Sequence, residues 1–150
     1  MAGPFLYERR NIMLKKTINY VDYNGNERTE DFYFNLTEAE ILEMEMSQTG
    51  GLAESIQRIV QAQDIPAIIK VFKDLVLRAY GVKSPDGKRF IKNDSLREDF
   101  EQTEAYSKLF MELSTDPDKA SEFINKIVPA NMSEKANAIQ AQNVSQLPNS

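Results

Sequence analysis

The chain has 150 residues, 41% hydrophobic and 27% charged, the balance of one globular domain rather than of a disordered segment. Its 18 Lys and Arg stand against 23 Asp and Glu, and a net charge of -5 repels phosphate backbones unless the cations gather on one face. No cysteine and no histidine is present, which excludes disulfides, zinc ribbons and thiol catalysis and removes the commonest general base and metal ligand.

The densest basic groups in the sequence are Arg9-Arg10 with Lys15-Lys16, and Lys88-Arg89. They do not form one patch along the chain, so nucleic acid is not an expected partner. No apolar run reaches the length of a membrane span, and residues 1–12 lack the apolar core of a signal peptide. The expected location is the cytoplasm of the cell that makes the protein, with no membrane association.

Residues 1–12 read as an irregular lead-in, and Met13 is a candidate alternative start. A hairpin follows. Thr17 to Tyr23 alternates, with Ile18 and Tyr20 on one face, and Glu27 to Leu36 alternates with Phe32, Phe34 and Leu36 together. Asn24-Gly25-Asn26 is the turn signal between them. Only an odd loop length puts both apolar sets on one face, so the reading predicts a three-residue loop with a bulge.

Thr37-Glu38-Ala39-Glu40 spells a capping box. The helix after it runs through Met46, with Ala39, Leu42 and Met46 as the expected apolar stripe, and Thr49-Gly50-Gly51 breaks it. A second helix from Leu52 carries Leu52, Ile56, Ile59, Val60 and Gln63 at helical spacing. Asp64 caps a third, with Pro66 in its first turn. This helix is apolar on most sides from Ile65 to Tyr80, the pattern of a central buried helix, and Gly81 is read as its left-handed cap. Residues 82–93 read as a polar connector, with a turn at Ser84-Pro85-Asp86-Gly87 and a short extended segment at residues 88–92. Asp94 or Ser95 starts a short helix. A longer one carries Tyr106, Leu109, Phe110 and Leu113, and a last one after Asp116-Pro117 turns Ala120, Phe123, Ile124 and Ile127 inward before Pro129. Residues 130–150 read as a flexible tail rich in Asn, Gln, Ser and Ala.

The expected fold class is α+β: an N-terminal β-hairpin followed by a bundle of about five or six α-helices, with residues 13–129 as a single domain.

No constellation points to chemistry. Glu38, Glu40, Glu43 and Glu45 could furnish carboxylates on one helix face, but a solvated face with favourable charge at the N-terminus explains them. Gly50-Gly51 lacks the lysine and the strand of a phosphate-binding loop. No catalytic, cofactor-binding or metal-ligating residue is assigned, and no cofactor is expected. The candidate partner contacts are Tyr33, opposite Phe32 and Phe34 on the hairpin; Met44, Met46 and Met111, whose side chains adapt to peptide surfaces; and Lys88, Arg89 and Phe90 on the connector. The second hairpin strand is a further candidate, as an open edge.

Five stretches in order resemble the tail assembly chaperones of tailed bacteriophages, in the version common in phages of Gram-positive hosts. They are Asp22-Tyr23-Asn24-Gly25, Arg28 to Thr37, Ser47 to Leu52, Tyr80 to Phe90, and Gln102 to Ser107. The resemblance runs from about Met13 to Pro129. It implies a non-enzymatic protein of the host cytoplasm that coats the long helical tape measure protein. It would keep that client soluble while tube subunits polymerise around it, and would be absent from the mature virion. The tail tube protein and the chain itself are further partners the resemblance suggests. A longer product made by ribosomal frameshifting is a feature of such families. A structural virion component, such as a minor tail or connector subunit, is the alternative reading, and an inhibitor of a host factor that mimics nucleic acid is a third.

Overall fold

The computed structural model describes residues 13–47 and 50–128; the expected lead-in at 1–12, Pro129 and the tail at 130–150 lie outside them. β1 (Leu14–Val21) and β2 (Glu27–Phe34) form the expected hairpin, registered from Leu14 opposite Phe34 to Val21 opposite Glu27. Beyond that ladder the Asp22 amide donates to the Asn26 carbonyl at 2.9 Å and the Gly25 amide to the Asp22 carbonyl at 3.0 Å. Tyr23-Asn24-Gly25 is therefore a three-residue loop, with the bulge at Gly25, whose φ of 83° is strained for any residue with a side chain. The loop sits one residue earlier than Asn24-Gly25-Asn26, but its parity is the one required. Ile18 and Tyr20 share a face with Phe32 and Phe34.

The expectation of one hairpin is corrected, although the turn at Ser84-Pro85-Asp86-Gly87 and an extended segment within residues 88–92 are found as expected. Tyr80–Lys83 (β3) and Phe90–Ile91 (β4) extend the hairpin into a four-stranded antiparallel sheet of order β1-β2-β3-β4. Tyr33 pairs with Gly81 and Phe34 with Tyr80, and the Asn35 amide donates to the Ala79 carbonyl at 2.8 Å. β2 is thus paired on both sides only at Tyr33 and Phe34, keeps the expected open edge over residues 27–32 among the described residues, and shares that role with the outer edge of β1. There the Lys108 ammonium donates to the Asn19 carbonyl at 2.5 Å.

Gly81 is no left-handed cap, because only Gly25, Gly50, Gly51 and Gly87 have positive φ among the described glycines. It is glycine for another reason. A Cβ there would lie 2.8 Å from Cε2 of Phe90 and 3.0 Å from the Ile91 carbonyl oxygen. Close approach, not backbone conformation, explains the residue.

The helices are α1 (Glu38–Met46), α2 (Leu52–Gln61), α3 (Ile65–Ala79), α4 (Asp94–Glu101), α5 (Glu104–Thr115) and α6 (Pro117–Ile127). Their starts follow local chemistry. Thr37 and Glu40 form the reciprocal capping box, with the Glu40 amide 3.1 Å from the Thr37 hydroxyl and the Thr37 amide 2.9 Å from the Glu40 carboxylate. Asp64 accepts from the Ala67 amide, Asn93 from Leu96 and Thr103 from Tyr106.

The stripe expected on α1 is the wrong one. Ile41, Met44 and Glu45 are buried, while Ala39 and Met46 are exposed. Apolar residues stand on nearly every side of this short helix, so periodicity alone selects no face, and Ile41 offers more area to bury than Ala39. Gln63 does not continue α2, which ends at Gln61; its φ is 55°. Only the last turns of α3 carry buried Leu75, Val76 and Ala79, while Ile65 and Ile69 in its first turns are exposed, so it is not buried throughout.

The contacts group into two compact units. Among the described residues one comprises 13–35 with 77–127 and the other 36–47 and 50–76 with Val128, one boundary falling within α3. In the first unit, the even-numbered residues of β1 and β2 turn toward α4, α5 and α6, as their burial records. Phe34 is fully buried there, with ring centroids 5.8 Å from Phe100 and 5.3 Å from Phe123. Ile18, Ala105, Leu109, Leu113, Ala120 and Ile127 complete this core. In the second, Leu36, Ile41, Met44, Leu75 and Val76 are buried.

Candidate protein-interaction face

An antiparallel sheet covered by helices on one side leaves the alternate residues on the other. Here that second face consists of Lys15, Thr17, Asn19 and Val21 on β1, and Glu27, Thr29, Asp31 and Tyr33 on β2. Most are polar and exposed. Thr17 donates to Asp31 at 2.5 Å, and Thr29 hydrogen-bonds Asn19, so a side-chain ladder runs across the two strands.

One end of this face is different. Lys15 lies directly across from Tyr33, and Tyr33 across from Gly81. The Lys83 ammonium sits 4.8 Å above the Tyr33 ring, a cation–π contact. Lys83 itself faces Phe90 across the β3–β4 pair, and the Phe90 ring lies over the space a side chain would fill at Gly81. The Lys92 ammonium is 5.5 Å from the Phe90 ring and donates to the Asn35 carbonyl at 2.7 Å. Two half-buried aromatic rings thus flank Gly81 on this face, each with a lysine ammonium against it.

The turn that carries Lys88 and Arg89 is held by Ser84 and Asp86. The Ser84 amide donates to the Arg89 carbonyl at 2.8 Å, and the Arg89 amide to the Ser84 hydroxyl at 3.0 Å. Asp86 accepts from the Ser84 hydroxyl at 2.6 Å and from the Lys88 amide at 3.0 Å. Those donors, the hydroxyl first, hold the Asp86 carboxyl below its ordinary range. Gly87 takes the left-handed position at φ 76°.

Charge pairing separates these cations from several others. Lys16, Arg28, Arg97, Lys119 and Lys126 each have a carboxylate within 4.0 Å. Among the described residues, Lys15, Lys83, Lys88 and Arg89 have none.

Of the residues singled out in the sequence, Tyr33 and Phe90 come together across Gly81, with Lys88 and Arg89 at the adjoining turn. Met111 is 56% exposed on α5 and Met46 38% exposed at the end of α1. Met44, at 8%, takes the core-filling role instead and presents no surface. Sequence reasoning missed Lys15 and Lys83. Their proximity to the two rings depends on β3 pairing with β2, and Val82 and Ile91 flanking Ser84-Pro85-Asp86-Gly87 were the available hairpin signal.

The acidic residues of α1 form no metal centre. Glu40 is engaged in the capping box, and no group of three or more metal-ligating side chains is found among the described residues. Nor, among those residues, is any helix long and apolar enough to cross a membrane. No curated protein and no solved structure matches the chain. A family model described as phage tail assembly chaperone matches residues 13–150, beginning at the Met13 where the resemblance begins and continuing past Pro129 to the last residue. The chain belongs to the phage tail assembly chaperone family, whose members assemble tails and are not enzymes.

Proposed function

We propose that this chain binds the tape measure protein in the cytoplasm of the infected cell and keeps it soluble while the tail tube polymerises, then leaves before the virion is complete. The observation that carries the reading, beside family membership, is the exposed start of α3. Ile65 and Ile69 stand one helical turn apart at 57% and 45% exposure, with Ile68 and Phe72 half-buried beside them. Such a ridge is what a long helical client needs, because amphipathic helices pack by their i, i+3 and i+4 apolar positions. Met46 and Met111 add adaptable apolar surface. A net charge of -5 keeps a protein with exposed apolar residues in solution.

The test is co-expression with the phage's tape measure protein, followed by pull-down and a solubility assay. Binding together with a soluble client supports the proposal. A tape measure protein that precipitates while this chain stays unbound refutes it. Mass spectrometry of purified virions gives an independent check, since abundant copies in mature particles contradict a protein that leaves.

A further inference from the structure

We infer that the open sheet face around Tyr33 and Phe90 docks an acidic segment of a partner protein. The inference does not depend on which client the chaperone serves.

Its basis is an imbalance of charge. The chain is acidic, yet Lys15 and Lys83 stand at one end of the sheet face, with Lys88 in the adjoining turn, and among the described residues none of the three has a carboxylate within 4.0 Å, whereas Lys16, Arg28, Lys119 and Lys126 of the same unit each have one. A cluster of like charges raises its own energy and is relieved by a partner that brings the opposite sign. The Lys83 ammonium lies against the ring of Tyr33 and the Lys92 ammonium against that of Phe90, two rings that give half-buried apolar surface of the kind found at interface centres. The fold holds the platform in place. Gly81 lets the Phe90 ring settle on β3, and Ser84 and Asp86 fix the turn that carries Lys88. A chain segment with two or three carboxylates flanking an apolar side chain matches that pattern.

Nucleic acid fits worse. The Lys83 ammonium already covers a face of Tyr33 and the Lys92 ammonium approaches Phe90, leaving little for a base to stack on. The cations occupy one end of the face only, and Asp31 and Glu27 follow along β2 where a polyanion would have to continue.

The experiment is an NMR titration of the 15N-labelled full chain with a nine-residue peptide, four glutamates on each side of a leucine. The same peptide with glutamine for glutamate and an oligothymidylate serve as comparisons. The expected result is saturable shifts at the amides of Tyr33, Gly81, Lys83 and Phe90. Affinity should fall about tenfold in Lys15→Glu/Lys83→Glu and again in high salt. Lys15→Gln/Lys83→Gln, which only removes charge, should fall between. Shifts elsewhere, equal binding of the glutamine peptide, preferential binding of the oligonucleotide at these amides, or unchanged affinity in both double variants overturns the inference. So does concentration-dependent self-association that the variants abolish, because the occupant would then be a second copy.

Discussion

Phe100 is the residue on which the covered side of the sheet depends most. It is 2% exposed on α4, and its ring stacks on Tyr80 at 4.3 Å and 14°. Phe32 lies 5.2 Å away, Tyr106 5.5 Å and Phe34 5.8 Å. Replacing it with alanine removes a buried ring and leaves a cavity walled by four other rings, which cannot all move in. Such substitutions cost about 3–5 kcal/mol, and the loss of ring pairs worth about 0.5–1.5 kcal/mol each places this one toward the upper end. Against a domain stability of about 5–15 kcal/mol, Phe100→Ala should fold but unfold far earlier. With a urea dependence of about 2 kcal/mol per M, the midpoint should drop by roughly 2 M. The chain has no tryptophan, so unfolding is followed by far-ultraviolet circular dichroism and tyrosine emission. Phe110→Ala is the control. Phe110 is half-buried and stacks on Tyr106 at 5.7 Å, so its loss should cost about 1–2 kcal/mol. A Phe100→Ala cost below about 1.5 kcal/mol, or no greater than that of Phe110→Ala, refutes the reasoning.

The remaining predictions concern the turn, the third strand and the exposed helix. Gly81→Ala should cost about 1–3 kcal/mol through collision with Phe90 and Ile91, and Phe90→Ala should relieve part of it. A double-mutant cycle by urea unfolding should therefore give at least about 0.5 kcal/mol of coupling, and strict additivity refutes the contact. Arg28, at 2.6 Å, and then the backbone amides of the turn hold the Asp22 carboxyl below its ordinary value. A lowered folded-state pKa stabilises the fold above the unfolded aspartate range and ceases to do so as pH falls through the folded value. The stability gap between the native chain and Asp22→Asn should therefore be widest near neutrality and close in acid; a gap that stays constant with pH denies the carboxylate this role. Ile65→Ser with Ile69→Ser should leave the urea midpoint nearly unchanged but abolish solubilisation of the tape measure protein in co-expression. Full retention of that activity removes α3 from the client surface.

The sequence by itself determined whatever depends on neighbours along the chain. Thr37 and Glu40 reach each other within one turn and Asp64 caps its helix from an adjacent position, so their roles follow from spacing, whereas the short helix expected to start at Asp94 or Ser95 is capped by Asn93 and the next by Thr103. The odd parity of the hairpin loop was legible too, because alternation on two strands must place Ile18 and Phe34 on one side. Tertiary structure alone decided the rest. β3 is four residues long and β4 two, too short for alternation to register; the extended segment expected at residues 88–92 contains β4, but the pairing of β3 with β2 and of β4 with β3 belongs to the fold. Gly81 looked like a helix cap until the ring and carbonyl beside it came from β4. On α1, with apolar residues nearly all round, the surroundings chose Ile41 and Met44 for burial. The candidate face follows the same rule. Lys15, Tyr33, Lys83 and Phe90 are scattered over the chain, and only strand pairing sets them side by side, since sheet register joins residues regardless of their separation in sequence.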